Sequence, residues 1–310
     1  MSLSKFQLKQ AVDELLTAQD WSRWIATQLN KYPVYFGHGT VSAWDEAGAL
    51  VIQTLDLPHE YLEVIGDCRL TTAERELLAQ RVEMRINERK PLPYITQKSY
   101  FCGLEFYVDE RVLIPRSPIA ELIQQRFQPW LGEQTISSIL DLCCGSACIG
   151  IACAQMFPEA AIDDADISED ALAVARINID NYQLADQVQA IQSDGLKMLV
   201  GKNYDLIVCN PPYVDSADMA SLPLEYRHEP ELALAAGADG LDFVRELLLV
   251  AHQHLTPKGL LICEVGNSIE HMFQQYAEVP FTWLSFEHSD DGVFLISRED
   301  LLQYCAKVTE

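Results

Sequence analysis

The sequence predicts an α/β fold, in which a mostly parallel, doubly wound sheet follows a smaller helical segment. After about residue 135, strand-like apolar runs alternate with helical patterns, which is typical of repeated βα units. Residues 1–92 instead place apolar residues at helical spacing. The chain has 310 residues, enough for two domains, and no apolar run reaches the roughly 18 residues that a membrane span needs.

The helical segment has clear start and stop signals near its end. Thr71 and Glu74 form a capping-box pattern, and an amphipathic run follows over residues 76–88. Pro91 and Pro93 end this run, because neither can donate the hydrogen bond that the next helical turn needs. The pattern predicts a helix that begins after Thr71 and stops before the two prolines.

Strand-like residues with turn residues between them follow, and they predict a β-hairpin that links two domains. The predicted strands are Tyr100-Phe101, Phe106–Val108 and Val112–Ile114. We therefore expect a helical domain over 1–92, a hairpin linker over 93–118 and a sheet domain over 119–310.

The sheet domain is predicted from short apolar runs and helical patterns in alternation. Strands are expected over 138–142, 160–166, 188–192, 204–209 and 259–265, and helices over 119–127, 149–156, 171–182 and 243–255. The last segment reads differently: strand-like residues over 281–287 and 293–297 flank the turn Ser289–Gly292. This predicts a final hairpin that adds antiparallel strands to the sheet.

The charge balance is strongly acidic and uneven. The net charge is −24, and residues 97–310 hold 12 basic and 33 acidic side chains. Such a surface repels a phosphate backbone, so we expect no direct binding of nucleic acid and no membrane attachment. A cationic protein is the expected partner, because long-range charge steers such encounters.

The nine cysteines show no regular framework spacing. Cys143, Cys144, Cys148 and Cys153 lie close together in an apolar stretch, where they read as small hydrophobic residues of a reduced core. This usage predicts a cytoplasmic protein. A metal site is not expected, because no C-x-x-C pair is followed by a second such pair.

Polar or small residues follow four predicted strands, at the edge where α/β sheets bind ligands. The first group runs from Asp141 to Gly150, and its small residues let backbone N–H groups approach a ligand at a helix N-terminus. It also reads as an imperfect dinucleotide fingerprint or a turn without a ligand. Asp166 ends the next strand, where an acid can accept hydrogen bonds from a ribose diol. Asp163 and Asp164 compete with it for that role.

The last two groups follow the third and fourth of these strands. Asp194-Gly195 is either an adenine contact or an ordinary turn. Asn210-Pro211-Pro212-Tyr213 is more specific, because its prolines fix the backbone and leave carbonyl oxygens free of a sheet ladder. Asn210 adds a side-chain acceptor and Tyr213 a flat face. Together they suit a planar –NH2 group.

These motifs, in this order, resemble class I adenosylmethionine-dependent methyltransferases that act on amide or exocyclic amine nitrogen. Four further segments are similar to the protein-glutamine N5-methyltransferases, and they stand at 111–123, 229–234, 239–245 and 263–267. Pro115-Arg116-Ser117-Pro118 together with Glu225–Pro230 resembles the branch that methylates a glutamine of large-subunit ribosomal protein L-three. The resemblance covers nearly the whole chain. It implies a Rossmann-like, seven-stranded sheet and S-adenosyl-L-methionine as the cofactor.

The resemblance also implies roles for the site residues. Asn210, Pro211, Pro212 and Tyr213 would bind the substrate amide, with Asn210, Pro211 and Tyr213 acting in catalysis. The cofactor would contact Asp141, Cys143, Gly145, Ala147, Asp166, Asp194, Gly195 and Asn210. Arg116 and Glu121 lie in a loop that can cover the site, and the helical domain would recognise the substrate. Ala147 departs from the glycine usual in the family, and at a positive φ it would cost about 1 kcal/mol.

Several alternatives remain open from the residues. The release-factor glutamine methyltransferase is the near relative, although its loop usually reads Pro-Arg-Pro-Asp/Glu-Thr-Glu. A nucleic-acid amine methyltransferase would stack Tyr213 on a flipped base, and the acidic charge argues against it. A nicotinamide dehydrogenase would leave Asn210–Tyr213 without a role. A non-catalytic scaffold has only Ala147 in its favour.

Overall fold

The computed structural model describes residues 2–62, 64–286 and 292–308, and the chain forms two compact units. Unit 1 comprises Met1–Ser99, Val108–Glu110 and Pro223–His228, and unit 2 comprises Tyr100–Tyr107, Arg111–Leu222 and Glu229–Glu310. This division differs from the predicted boundaries at 92 and 118, because most of the linker groups with unit 2. That unit 1 recognises the substrate stays a prediction.

Unit 1 is helical. Its helices are α1 (Lys5–Glu14), α2 (Ala18–Lys31), α3 (Ala43–Thr54), α4 (Thr72–Glu83) and α5 (Leu92–Thr96), with a π-helical turn at Met84–Glu88 after α4. The capping box is confirmed: the Glu74 N–H donates to Thr71 Oγ1 at 3.3 Å, and the Thr71 N–H donates to Glu74 Oε2 at 2.7 Å. Trp21, Ile25 and Leu50 are fully buried in the core that these helices share.

A buried ion pair explains why Pro223–His228 groups with unit 1. The Arg85 side chain is only 1% exposed and donates to Glu46 at 2.5 Å and to Glu225 at 3.1 Å. Glu225 also accepts the Tyr35 N–H at 2.9 Å. Leaving either charge buried without its partner would be costly, so the short segment is anchored firmly.

Strands β1 (Lys98–Phe101) and β2 (Leu104–Tyr107) form a two-stranded sheet. The prediction of a further strand at Val112–Ile114 is wrong, because these residues form no regular element. The Ile114 N–H donates to the Glu229 side chain at 3.1 Å and is not used in a sheet ladder. Burial rather than strand pairing accounts for the apolar character of this segment, since Val112 and Ile114 are both buried.

Unit 2 is built on a seven-stranded sheet, which confirms the predicted fold class. Its strands are β3 (Ser138–Leu142), β4 (Ala161–Asp166), β5 (Val188–Gln192), β6 (Tyr204–Cys209), β7 (Leu255–Glu264), β8 (Thr282–Leu284) and β9 (Val293–Ser297). They lie in the order β5-β4-β3-β6-β7-β9-β8. The pairs from β5 to β7 are parallel, and β9 pairs antiparallel with both β7 and β8. The carboxyl ends of the parallel strands therefore share one edge.

Helices pack on this sheet, and apolar clusters fill both of its faces. They are α6 (Ile119–Gln124), α7 (Cys148–Met156), α8 (Glu169–Asn181), α9 (Ser216–Ser221), α10 (Asp242–Val250), α11 (Ile269–Gln275) and α12 (Arg298–Val308). Helix α6 is shorter than predicted, because Arg126 and Phe127 take positive φ values of 53°. Helices α9, α11 and α12 were not predicted.

The predicted helix over 243–255 and the predicted final hairpin differ in extent from the elements that the structure describes. The predicted helix over 243–255 divides into α10 and a 3-10 turn at Ala251–His254, after which β7 begins at Leu255. Part of the final hairpin, residues 287–291, lies outside the described residues. Within the described ranges, no helix combines the length and the apolar character required to cross a bilayer.

Candidate active site

A cavity of about 180 Å³ opens in unit 2 where β3, β4, β5 and β6 end. Seven of the predicted site residues line it: Cys143, Gly145, Asp166, Asp194, Gly195, Asn210 and Pro212. Four others do not: Asp141, Ala147, Pro211 and Tyr213. The structure thus brings together residues from four strand ends that are far apart in sequence.

The loop after β3 is built from residues in the left-handed region. Cys143, Gly145 and Ala147 have φ values of 63°, 53° and 65°. A Cβ at Gly145 would meet no atom within 4 Å, so space beside it is open for a ligand. Ala147 is fully buried and ends the loop as the N-cap of α7, without a capping side-chain bond. The positive φ that makes alanine costly at this position is therefore present.

Asp166 anchors this loop from the end of β4. Its Oδ2 accepts the Gly145 N–H at 3.0 Å, and its Oδ1 accepts the Ser168 N–H at 2.9 Å. Burial raises the pKa of Asp166, while these N–H groups favour its ionised form. Each oxygen keeps a further lone pair for a ligand hydroxyl. Asp163 points elsewhere and accepts from Lys202 and Tyr204.

Asp141 lies beneath the loop and is fully buried. Its Oδ2 accepts the Gly150 N–H of α7 at 2.9 Å, while its Oδ1 has no hydrogen-bond partner in the described part of the chain. Asp141 thus supplies the helix-capping bond that Ala147 does not. Its predicted contact with the cofactor stays a prediction.

One wall of the cavity combines a polar edge with an aromatic face. Asp194 lies there with one carboxylate oxygen on Lys197 Nζ at 2.5 Å, and Gly195 has a φ of 56°. A Cβ at Gly195 would reach Phe243 Cε2 at 4.0 Å. Phe243 and Ile167 line the cavity and were missed by sequence reasoning. Ile167 carried a usable signal, as an apolar residue directly after the strand-end acid, and it is 47% exposed.

Asn210 follows β6, whose six residues are all buried. It lines the cavity, yet its buried Oδ1 has no hydrogen-bond partner among the described residues. A buried acceptor without a donor is costly, so this oxygen is suited to a ligand N–H. Pro211 is buried directly behind it and Pro212 faces the cavity, which stiffens the corner.

Tyr213 is fixed at several points. Its carbonyl oxygen accepts the Ser268 hydroxyl at 2.7 Å, and its phenol bonds the buried Glu264 carboxylate. A Cβ at Gly266 would lie 2.5 Å from the Tyr213 ring, so only glycine allows this packing. Glu264 also accepts the Ser117 hydroxyl at 2.5 Å. Burial raises the pKa of Glu264, and these hydroxyl donors oppose that effect.

The outer wall of the cavity is made by two loops. Residues 111–113 line it from one loop, and Pro230, Leu232 and Ala233 line it from the other. Glu229 joins the loops, because its Oε2 accepts both the Ile114 N–H and Arg116 Nη1, the latter at 2.9 Å. Arg116 therefore has a structural contact that the sequence did not show. Glu121 lies in the first turn of α6.

The residues present suit S-adenosyl-L-methionine. The Asp166 carboxylate has spare lone pairs that suit a ribose diol, and the Phe243 ring offers a flat face that suits an adenine. Gly145 and Gly195 have positive φ values and let a ligand come close to the backbone. The orphaned Asn210 oxygen adds an acceptor at the same cavity. No group of histidine, cysteine or acidic side chains in the part of the chain that the structure describes is arranged to hold a metal ion.

Comparisons with known proteins identify the fold and the family of the chain. The "Methyltransferase small domain" model matches residues 125–279, half of the chain. In fold, the chain has a solved neighbour in the hMettl16 catalytic domain, crystallised in complex with MAT2A 3'UTR hairpin 6. That structure is 16% identical, covers 72% of this chain and 81% of that one, and has a TM-score of 0.50. It supports the class I methyltransferase fold alone.

Curated relatives match along almost the full length. One from Francisella tularensis subsp. tularensis is 48% identical over 294 residues, which cover 94% of each chain. Another from Xanthomonas campestris pv. campestris is 45% identical over 300 residues, 97% of each chain. Both are named "Ribosomal protein uL3 glutamine methyltransferase". Likeness of this extent shows the family, and this chain belongs to the ribosomal protein uL3 glutamine methyltransferases.

Proposed function

We propose that this protein transfers a methyl group from S-adenosyl-L-methionine to the side-chain amide nitrogen of a glutamine in ribosomal protein uL3. The names of the two full-length relatives support the substrate. The observation that carries the chemistry is the buried, unpartnered Oδ1 of Asn210, which lines the cavity beside two prolines. The cofactor, when bound, supplies a methyl group that is already electrophilic because it is carried by a sulfonium.

In this proposal, each wall of the cavity holds one part of the cofactor. Asp166 accepts from the ribose diol, and Asp194 and Gly195 meet the edge of the adenine. Phe243 offers its ring as the adenine's flat neighbour. Cys143 and Gly145 border the methionine part, while the buried Asp141 and Ala147 act on it through the shape of the loop.

The substrate amide needs orientation, because its nitrogen lone pair is delocalised into the carbonyl. Asn210 Oδ1 and the Pro211 carbonyl oxygen each accept one hydrogen of the –NH2 group. These two hydrogen bonds turn the nitrogen lone pair toward the methyl group. Pro212 and Tyr213 pack against the flat faces of the amide. Orientation of this kind supplies roughly 7–11 kcal/mol of a barrier. Acceptors that strengthen as the nitrogen becomes positive add to it. The methylated nitrogen is acidic and loses its proton to water, so no side chain is needed as a general base.

The acidic charge of residues 97–310 fits a basic ribosomal protein and would steer its approach. Unit 1 is the proposed recognition domain. At a net charge of −24, we expect the KM for uL3 to rise several-fold between about 50 and about 300 mM salt. The kcat is expected to stay unchanged, because salt screens the encounter and not the buried site. Steady-state kinetics over this range check the prediction, and a KM that does not respond to salt would contradict it.

Phe243 offers a test of the adenine wall. We expect Phe243→Ala to weaken binding of S-adenosylhomocysteine about tenfold, since stacking on an aromatic ring contributes roughly 1–3 kcal/mol per base. Phe273→Ala is the matched control, because Phe273 is half exposed on α11 and does not line the cavity. Titration calorimetry on both variants measures the effect. Equal affinities would remove Phe243 from the cofactor site.

Mass spectrometry tests the proposed reaction. The protein is incubated with labelled cofactor and, separately, with unmethylated uL3, a release factor and ribosomal RNA. We expect one added methyl group on a glutamine side chain of uL3 and none on the other two. Label on the release factor alone would move the protein to the neighbouring branch. Label on RNA would overturn the assignment to an amide.

A further inference from the structure

Two buried carboxyl groups stand on paired residues of adjacent strands under the cofactor loop. Asp141 of β3 and Asp164 of β4 are register partners in the parallel sheet, so their side chains emerge on the same face. Both are fully buried. The proposed catalytic roles use neither carboxyl directly, and the sequence singled out Asp164 only as a rival to Asp166.

Both side chains converge on one residue of α7. The Gly150 N–H donates to Asp141 Oδ2 at 2.9 Å. A Cβ at Gly150 would lie 1.8 Å from Asp164 Oδ1 and 2.6 Å from its Cγ. Asp164 therefore occupies the space that any side chain at position 150 would need. The glycine and the acid form a matched pair.

The surroundings of Asp141 and Asp164 offer too few hydrogen-bond donors for two ionised carboxylates. Asp141 Oδ1 and both oxygens of Asp164 are buried without a partner among the described residues. Two like charges on paired strand residues, both buried against Gly150, cannot both be retained in this water-poor place. One proton held between them removes one charge and gives the orphaned Asp141 oxygen a donor.

We propose that Asp164 is protonated in the folded protein, donates its proton to Oδ1 of Asp141, and thereby acts as a positioning residue for α7 and the cofactor loop. The shared proton keeps Asp141 as the acceptor that caps Gly150. That cap matters because Ala147, the N-cap residue, makes no side-chain bond. The effect on the cofactor rests on the proposed function, whereas the protonation does not.

The surrounding groups favour a neutral Asp164. Asp163 and Asp166 act on the pair from β4, and the thiols of Cys144, Cys148 and Cys153 lie against it from the loop and α7. None of these is a cation. Burial, and then the neighbouring carboxylate, raise the pKa of Asp164 well above its usual value. Burial also raises the pKa of Asp141, although the Gly150 N–H opposes it.

The sign of the pH dependence follows from these shifts. Above about pH 5, the two aspartates of an unfolded chain have lost nearly all of their protons, while the native state keeps at least one. The native state then binds more protons than the unfolded chain. The pair's contribution to stability therefore falls as the pH rises, until the native proton is also lost.

Asp164→Asn tests this directly, because an amide keeps the shape and the donor but cannot ionise. Urea unfolding of both proteins is measured between about pH 5 and about pH 8. We expect the ratio of the unfolding constants, wild type over variant, to rise on the order of 100-fold across this range. The control Asp163→Asn should not reproduce this rise, because Asp163 lies on the other side of β4 and is paired with Lys202. A ratio that stays within threefold for Asp164→Asn overturns the proposal.

A second measurement separates positioning from packing. Asp164→Ala leaves Asp141 Oδ1 without a donor, so we expect the Kd for S-adenosylhomocysteine to rise about tenfold, with kcat at saturating cofactor within threefold of wild type. Asp164→Asn, which keeps a donor, should retain wild-type affinity, whereas Asp164→Leu, which fills space without a donor, should bind as weakly as Asp164→Ala. Unchanged binding in Asp164→Ala contradicts the positioning role and leaves the methyl-transfer proposal intact.

The glycine supplies an independent check of the geometry. Gly150→Ala alone should raise the unfolding constant on the order of 100-fold, because its methyl group overlaps the Asp164 carboxyl. In an Asp164→Ala background, the same substitution should have less than a threefold effect. Equal effects in both backgrounds would show that the two residues do not share this space.

Discussion

Asn210→Ala is expected to lower the rate of methyl transfer by a factor on the order of 10² to 10³ at saturating cofactor. The expected size is that of losing one preorganised hydrogen-bonding partner of a reacting group. The side chain lines the cavity, and its buried oxygen has no partner among the described residues, so a substrate N–H is the donor it lacks. Single-turnover kinetics with labelled cofactor measure the rate.

A control at the other end of the same strand isolates this effect. Asn203 is exposed just before β6, and Asn210 follows its last residue. Asn203→Ala should leave the rate unchanged. If the two variants transfer methyl groups equally fast, Asn210 does not hold the amide. A thermal unfolding curve for each variant ensures that a lost fold is not mistaken for lost chemistry.

Gly266→Ala is expected to displace Tyr213 and so to impair the Asn210–Tyr213 corner. Gly266 has a φ of 46°, and a methyl group there would lie 2.5 Å from Cε2 and 2.8 Å from Cζ of Tyr213. The ring cannot move aside freely, because its phenol bonds Glu264 and its carbonyl bonds Ser268. We expect a loss of stability of about 1–2 kcal/mol from the backbone, and a fall in kcat of at least about tenfold from the displaced corner.

Gly132→Ala separates these two contributions. Gly132 has a similar φ of 53°, but a methyl group there would meet no atom within 4 Å. It should therefore lose comparable stability and keep its kcat. If Gly266→Ala also keeps its kcat, the position of the Tyr213 ring against Gly266 does not affect the reaction. The comparison requires only unfolding curves and steady-state rates.

The sheet and the order of its site residues were predictable, because strand-like and helical patterns alternate and a polar motif stands at or just after the ends of β4, β5 and β6. Asp166 ends β4, Asp194 and Asn210 follow β5 and β6, and parallel strands bring such ends to one edge. The irregular structure of Val112–Ile114 was not predictable, because a short buried apolar run has the same sequence pattern in a strand and in the wall of a cavity. Only the bond from Ile114 to Glu229 distinguishes them.

Other features depended on contacts that no local pattern encodes. Asp141 stands in the motif where a cofactor contact is expected, yet its carboxyl caps α7 from below. Phe243 begins an ordinary amphipathic helix, and only the fold brings its ring beside Gly195. Glu264 and Ser117 lie 147 residues apart, so their bond could not be read from spacing. Sequence thus located the strand ends, and tertiary packing decided which side chains face the cavity.

The central claim is that a proline-stiffened corner holds a glutamine amide by both hydrogens. The most direct measurement is a crystal structure of the protein with S-adenosylhomocysteine and a uL3 peptide that contains the target glutamine. We expect the amide nitrogen to lie within about 3.2 Å of both Asn210 Oδ1 and the Pro211 carbonyl oxygen. An amide nitrogen bonded to other acceptors, with Asn210 Oδ1 turned to a protein donor, would contradict it.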